Sequence, residues 1–150
     1  MHDQKYHECQ LISALNAYYY LTGKVYCEQY SQEYEDLVDL CKARNGAPLS
    51  IKRVYDKIGL TVLKKSDFLW GFVDPKKLPF NTGKLPLPIE IRISHRLSLN
   101  HSVLVVDHII KCNAVRVTNF DIETREGWIF LSDLYLYSNP LKDFKLLSLK

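Results

Sequence analysis

Residues 9–23 read CQLISALNAYYYLTG. The apolar side chains in this stretch recur at the i, i+3, i+4 and i+7 spacing of an α-helix: Leu11, Ile12, Leu15, Tyr18 and Tyr19. Gly23 follows at the place where a helix stop is expected. Because the stretch is apolar around much of its circumference, the sequence predicts a helix in the middle of the domain, with Cys9 in its first turn.

The rest of the chain divides into a helical half and a strand-rich half. Helical spacing returns at Glu33–Lys42 and again from Leu49 or Ser50 to Ile58, where Gly59 ends it. A short strand is predicted at 60–63, and further strands and one helical turn follow. These are the strands Ile89–Ser94, Ser102–Ile110, Ala114–Thr118, Trp128–Phe130 and Phe144–Leu149, and a turn near Leu131–Tyr137. The order predicts an α+β fold, with N-terminal helices packed on a C-terminal antiparallel sheet.

The composition is that of one ordinary globular domain covering residues 1–150. The net charge of +3 comes from lysines scattered along the chain, so no basic face for nucleic acid is expected. No apolar run is long enough for a membrane span, and the first residues lack the apolar core of a signal peptide. We therefore expect a soluble, cytoplasmic protein. The long connection at 64–86, rich in Pro and Gly, is expected to be irregular, and a loop of this length in a small domain is often functional, as a lid or as one wall of a cleft.

The four cysteines show no C-x-x-C spacing and are too few for a disulfide scaffold: Cys9, Cys27, Cys41 and Cys112. We expect reduced thiols, and small buried apolar side chains at the last three positions. A metal site built from His2, His7 and Cys9 lacks the two-pair spacing of structural zinc sites. No metal and no other cofactor is expected.

Cys9 stands at the predicted start of the central helix. The unpaired backbone N–H groups and the positive end of the helix dipole there favour thiolate over thiol, which lowers the pKa of a cysteine and makes its sulfur reactive. The position suits a nucleophile, although a structural cysteine can also begin a helix.

A thiolate nucleophile needs a base within hydrogen-bond reach. His101 opens the apolar run Ser102–Val106, which is hydrophobic on both faces and is therefore predicted to be central in the sheet. A polar residue at the mouth of a buried strand has few structural explanations, so His101 is the predicted base. Two of the other histidines share the segment of Cys9, and two lie near strand ends where solvation is expected: His2, His7, His95 and His108.

The base in turn needs an orienting partner. Alternate residues of a strand share a face, so a hairpin turn near Ile110 would bring Asn119 opposite His101. A turn centred on Cys112-Asn113 would move Asn119 away unless a bulge restores the register. Asn119 is the predicted third member of a Cys-His-Asn triad, and Asp121, which has the same parity, is the alternative.

Several stretches together carry a resemblance to a known family. The segment from Glu8 to Leu15, continuing through Tyr19-Tyr20 to Gly23, resembles the nucleophile helix of the bacteriocin-processing peptidases, the double-glycine leader peptidases of the papain superfamily. Three further blocks are similar and follow in family order: 45–49 with the helix ending at 58–60, His101 with 103–106, and 115–120. The resemblance extends from about residue 4 to residue 137.

The resemblance implies a papain-like fold and a cysteine peptidase acting on a peptide or protein substrate. It also implies that Gln4 helps to hold the developing oxyanion, with Gln10 as a possible substitute. Three positions depart from the family pattern. Gln10 stands where the family has Gly, Asn119-Phe120 stands where it has Asp-Pro, and Gln4 is one residue closer to the cysteine than usual.

The sequence therefore predicts a papain-like cysteine peptidase that uses Cys9, His101, Asn119 and Gln4. Two alternatives stay open. One is acyl transfer by the same residues, with an amine in place of water in the second step. The other is a catalytically inactive papain-like module that binds or supports a larger assembly, which the substitution at Gln10 and the spacing of Gln4 favour.

Overall fold

The computed structural model describes residues 8–41, 51–63, 85–95, 98–118 and 126–150. The helices of this part are α1 (Cys9–Thr22), α2 (Gln32–Cys41), α3 (Ile51–Ile58), α4 (Leu131–Leu134) and α5 (Pro140–Asp143). The strands are β1 (Leu60–Val62), β2 (Ile89–His95), β3 (Ser98–Ile109), β4 (Ala114–Thr118), β5 (Glu126–Phe130) and β6 (Phe144–Leu149). Helices precede strands, as the sequence pattern predicts, although the short α5 carries no apolar periodicity and was not predicted.

Helix α1 begins at Cys9 and ends where the sequence indicates. Gly23 adopts the left-handed conformation, with φ of 73°, and its N–H donates to the carbonyl of Tyr19. The buried side chains of α1 lie mainly in its first two thirds, whereas Tyr19 and Tyr20 are 56% and 44% exposed. The expectation that α1 lies in the middle of the domain is therefore wrong for its C-terminal turn, where the amphipathic tyrosine side chains reach solvent.

The strands form one antiparallel sheet in the order β1-β6-β2-β3-β4-β5. Strand β3 is central, as expected, but it begins at Ser98 and not after His101. His101 therefore lies within the strand, opposite Ile93 of β2. The predicted irregular connection at 64–86 falls almost wholly outside the described residues.

The sheet separates two apolar cores because successive side chains of a strand point to opposite faces. Helices α1, α2 and α3 cover one face, and their core contains Leu11, Ala14, Tyr34, Leu37, Val54, Leu104 and Leu147. Helix α4 covers the other face, and that core contains Ile89, Ile91, Ile93, Val103, Val105, Leu131, Leu134 and Phe144. We call these the helix-side core and the α4-side core. Among the described residues, no helix has the length and apolar character needed to cross a membrane.

Gly59 joins α3 to β1 with φ of 85°, a conformation that L-residues rarely adopt. No described atom lies within 4 Å of a Cβ added there, and the same holds for Gly127 in β5, which has no positive φ. We expect Gly59→Ala to lower the free energy of unfolding by about 1 kcal/mol through backbone strain alone. The matched Gly127→Ala is expected to leave it unchanged to within about 0.5 kcal/mol. Urea denaturation measures both values, and an equal effect of the two substitutions would contradict this explanation.

Candidate active site

Cys9 is the first residue of α1, and its side chain is 7% exposed. The first turn of the helix holds no acidic side chain that would offset the positive end of its dipole, although Glu8 directly precedes that turn. The N–H groups at the start of the helix have no intrahelical acceptor. The local field of α1 therefore favours a negative charge on the Cys9 sulfur.

The thiol of Cys9 and the imidazole of His101 meet across the helix-to-sheet contact. Cys9 Sγ lies 3.0 Å from His101 Nδ1, although the two residues are 92 positions apart in the chain. His101 is 6% exposed, so the pair is largely shielded from water. This distance permits proton transfer between sulfur and ring nitrogen and leaves Nε2 as the nitrogen that a third group would orient.

His108, by contrast, has a structural role. Its Nδ1 accepts a hydrogen bond from the backbone N–H of Leu85 at 3.2 Å, and its Nε2 lies 2.8 Å from Asn113 Oδ1. Only 6% of the residue is exposed. The expectation that His108 is solvated is therefore wrong. The contacts of its two ring nitrogens link the turn after β3 to the segment before β2. The side chains of His2, His7 and His95 lie outside the description.

Glu8 directly precedes Cys9 and is 3% exposed. The hydroxyl of Tyr34, on α2, donates to Glu8 Oε2 at 2.8 Å. Burial, together with the bond to Glu8, raises the pKa of Tyr34 well above its usual value, so the phenol stays protonated as a donor. This contact ties the start of α1 to α2. Sequence reasoning missed this contact, since a glutamate before a helix is usually solvated.

A buried chain of hydrogen bonds joins α1 to the sheet beside the Cys9–His101 pair. Ser102 Oγ lies 3.0 Å from Ser13 Oγ and 3.1 Å from Glu90 Oε1. Because a carboxylate accepts only, Ser102 donates to Glu90 and accepts from Ser13. Ser13 and Ser102 are fully buried and Glu90 is 1% exposed. The alternation Ile89-Glu90-Ile91 is typical of a strand with one solvated face, so sequence reasoning missed this cluster.

The surroundings of Glu90 act on its charge in both directions. Burial raises the pKa of this carboxyl, whereas Lys145, the side chains of Ser102 and Gln10, and Arg92 lower it in part. Burial, and then Glu90, raise the pKa of Tyr55. Within the described residues, Glu90 Oε2 and the Tyr55 hydroxyl have no hydrogen-bond partner. The carboxylate is therefore held in the helix-side core at an electrostatic disadvantage.

The turn after β3 bears on the third member of the predicted triad. Residues 110–113 form the turn, so the hairpin is centred on Lys111-Cys112 and not near Ile110. A bulge between Val105 and Asp107 recovers one residue of that shift. The last described pair of the hairpin is Leu104 with Thr118, and its register differs by two residues from the register that would place Asn119 directly opposite His101. Asn119, Asp121 and Gln4 lie outside the described residues.

The remaining cysteines differ in exposure. Cys41 is buried, Cys27 is half-buried and Cys112 is exposed. The expectation of a buried apolar role is therefore right for Cys41 and wrong for Cys112, which lies at the hairpin turn. Burial is the main reason that the pKa of Cys27 is raised. Among the described side chains, no group of His, Cys, Asp and Glu is arranged to hold a metal ion.

The helical layer on an antiparallel sheet, with a Cys–His pair at their contact, defines the papain-like class of fold. The chain is similar in structure to the N-terminal peptidase C39 like domain of the toxin secretion ATP-binding protein from Vibrio parahaemolyticus. The TM-score is 0.50 and the sequence identity 17%, over 92% of this chain and 97% of that chain. This likeness confirms the predicted papain-like fold and, at the level of fold, the resemblance to the bacteriocin-processing peptidases. No family model and no curated protein matches the sequence.

Because the pKa of Glu90 is raised in the fold, the folded protein binds this proton more tightly than the unfolded chain does. At pH values below about 4.3, the pKa of Glu in the unfolded chain, the carboxyl is protonated in both states and does not lower the free energy of unfolding. As the pH rises through the folded pKa, the buried charge forms and the free energy of unfolding falls. We expect the stability of Glu90→Gln relative to the unsubstituted protein to increase with pH over that range. Urea denaturation across the acidic to neutral range measures it.

The exposed Glu33→Gln, on α2, is the control, because water surrounds this side chain in the folded and the unfolded chain alike. A stability difference between Glu90→Gln and the unsubstituted protein that stays constant with pH would contradict the interpretation of Glu90.

Proposed function

We propose that this protein is a cysteine peptidase in which Cys9 is the nucleophile and His101 the general base. The observation that carries the proposal is the 3.0 Å separation of Cys9 Sγ and His101 Nδ1 at the N-terminus of α1. A helix start that favours thiolate and an imidazole at hydrogen-bond distance are the two conditions that a sulfur nucleophile needs.

In the first step His101 Nδ1 takes the thiol proton, and the sulfur attacks the carbonyl carbon of a substrate amide. The carbonyl oxygen becomes an oxyanion, to which the backbone N–H of Cys9 and the side-chain amide of Gln4 donate. The C–N bond then breaks, and the imidazolium returns its proton to the leaving amine. Water, deprotonated by the same imidazole, hydrolyses the thioester and restores the free thiol.

Asn119 is proposed as the residue that accepts the second ring N–H of His101. An amide oxygen there fixes the tautomer with Nδ1 toward sulfur and lets the ring pass through its charged form. Asp121 is the alternative. The turn at 110–113 lies further along the chain than direct pairing of Asn119 with His101 requires, which favours a residue beyond Asn119.

The proposed substrate is a peptide or protein. Double-glycine leader peptides are the first choice for testing, because the sequence resembles the peptidases that process them. The structural neighbour is a domain of a toxin secretion ATP-binding protein. We propose by the same likeness that this chain acts beside or within a larger assembly.

We expect hydrolysis of internally quenched peptides that contain Gly-Gly to depend on the Cys9–His101 pair. Cys9→Ala and His101→Ala are expected to lower kcat/KM by at least about a thousandfold, because neither residue works without the other. Fluorescence release measures the rate. One equivalent of iodoacetamide at neutral pH is expected to modify Cys9 first, as peptide mapping by mass spectrometry shows.

The exposed Cys112 serves as the control in both experiments, since it is open to reagent but lies in the turn between β3 and β4, outside any helix. Cys112→Ser is expected to keep full activity. Hydrolysis that persists in Cys9→Ala, or alkylation of Cys112 ahead of Cys9, would overturn the proposal.

The choice between the two candidates for the third residue is tested by a pair of single substitutions. We expect Asn119→Ala to lower kcat by about a hundredfold or more, because the ring then samples both tautomers. Asp121→Ala is expected to leave kcat nearly unchanged. The reverse pattern assigns the role to Asp121, and full activity in both variants would show that the Cys–His pair acts without an orienting partner.

A second candidate function is a binding module with a papain-like fold and no turnover. The observation in its favour is Gln10, which stands where the family has Gly and whose side chain approaches Glu90 in the helix-side core. A Gln10 side chain directed at Glu90 is not available to donate to an oxyanion in place of Gln4. An unreactive Cys9 in the alkylation experiment would favour this candidate.

A further inference from the structure

Glu90 and Glu8 are the two buried carboxylates of the described residues, and the proposed chemistry uses neither. Glu90 lies on central strand β2 and faces the helices, between Leu104 of β3 and Lys145 of β6 in the sheet register. Only 1% of the residue is exposed, and burial opposes its charge. Stability alone does not explain a carboxylate at this buried position, since an apolar side chain would pack there without the electrostatic cost of burying a charge.

The contacts of Glu90 lead to the two elements that carry the Cys9–His101 pair. Its Oε1 accepts from Ser102, the residue directly after His101. Ser102 in turn accepts from Ser13, which is one helical turn after Cys9. Gln10, the neighbour of Cys9, also approaches the carboxylate. The carboxylate is therefore linked to both members of the pair through residues next to them or one turn away.

The direction of the hydrogen bonds makes this link specific. Ser13 donates to Ser102 and Ser102 donates to Glu90, so both hydroxyl protons are fixed by the single acceptor at the end of the chain. Without that acceptor the two hydroxyls can reverse or break their bond, because each is both donor and acceptor. Helix α1 is then held on β3 mainly by apolar contacts, which fix position less sharply than hydrogen bonds do.

We propose that Glu90 is a positioning residue, whose carboxylate holds α1 and β3 in register through Ser102 and Ser13 so that Cys9 and His101 meet at hydrogen-bond distance. The proposal rests on the proposed function, since it concerns the same pair. The charged or titratable groups that face Glu90 are Lys145 on β6, Arg92 on β2 and Tyr55 on α3. They adjust its charge but do not link it to the pair.

The test follows the alkylation of Cys9 by iodoacetamide as a function of pH, read by peptide mapping. This rate reports the thiolate fraction and needs no substrate. If the pair separates, the thiolate loses its imidazolium partner and its pKa moves toward the free-thiol value of about 8.5. We expect Glu90→Ala and Ser102→Ala to slow Cys9 alkylation at mildly acidic pH by about tenfold, the effect of one pKa unit.

Two variants distinguish positioning from a merely structural contribution. Glu90→Gln keeps an oxygen that accepts from Ser102 and is expected to restore the alkylation profile of the unsubstituted protein. Tyr55→Phe removes a buried hydroxyl beside the same carboxylate that has no hydrogen-bond partner among the described residues. It is expected to leave the profile unchanged whatever it does to the unfolding midpoint.

Glu90→Ala and Ser102→Ala proteins that unfold cooperatively yet alkylate Cys9 with the original pH profile would overturn the proposal. If Glu90→Ala does not fold, Ser13→Ala breaks the helix end of the same chain, and the same two results decide. If Cys9 of the unsubstituted protein is alkylated no faster than Cys112, the proposed function itself is contradicted, and there is no reactive pair for Glu90 to position. A fast Cys9 that none of the variants slows contradicts the role of Glu90 alone.

Discussion

Helix α1 packs across the central strand β3, and the candidate site exists because of that contact. The helix supplies Cys9 from its first turn, and the strand supplies His101 from its interior. Two side-chain bonds fasten the crossing further along: Ser13 with Ser102, and Asn16 with Thr118 on β4 at 3.3 Å. These contacts join residues 89 and 102 positions apart. The Cys9–His101 pair can form only after the helical half and the strand half of the chain have come together.

The polar character of this crossing is unusual for a helix packed on a sheet, where apolar side chains supply most of the stability. Small apolar residues in place of Ser13, Ser102 and Glu90 would avoid burying a charge, but they would allow neighbouring packing arrangements of similar energy. A chain of hydroxyls ending on one carboxylate has few satisfactory geometries, since each misplaced bond leaves a buried polar group without a partner. The interface thus exchanges some stability for a defined relative position of helix and strand.

Much of the fold could be predicted from the sequence, because periodicity and glycine positions mark the elements. The strands Ala114–Thr118 and Phe144–Leu149 have the predicted bounds, and α1 ends at Gly23 as expected. Strand β3 begins earlier than predicted because residues 98–100 lack an apolar pattern and are strand only by pairing with β2. The cluster around Glu90 could not be predicted, since a polar residue in an alternating strand looks the same whether water or a helix covers it. The partner of His101 depends on where a four-residue turn is centred, and Cys112-Asn113 offers no glycine to fix that position.

The electrostatics of the candidate site depend on one short distance. Two buried carboxylates, Glu8 beside Cys9 and Glu90 beneath Gln10, both oppose a negative charge on the sulfur. Each carboxylate accepts a hydrogen bond from a hydroxyl of another element, Tyr34 of α2 for Glu8 and Ser102 of β3 for Glu90. These bonds stabilise the negative charge of the carboxylate but do not neutralise it. The helix dipole contributes only about half an elementary charge. An imidazolium 3.0 Å from the sulfur would carry a full charge, and Coulomb energy falls with distance, so its attraction for a thiolate exceeds that of the helix dipole. A thiolate at Cys9, which the proposed function requires, is therefore favoured most while His101 stays in place, so the proposed chemistry depends on the precision of the α1–β3 crossing.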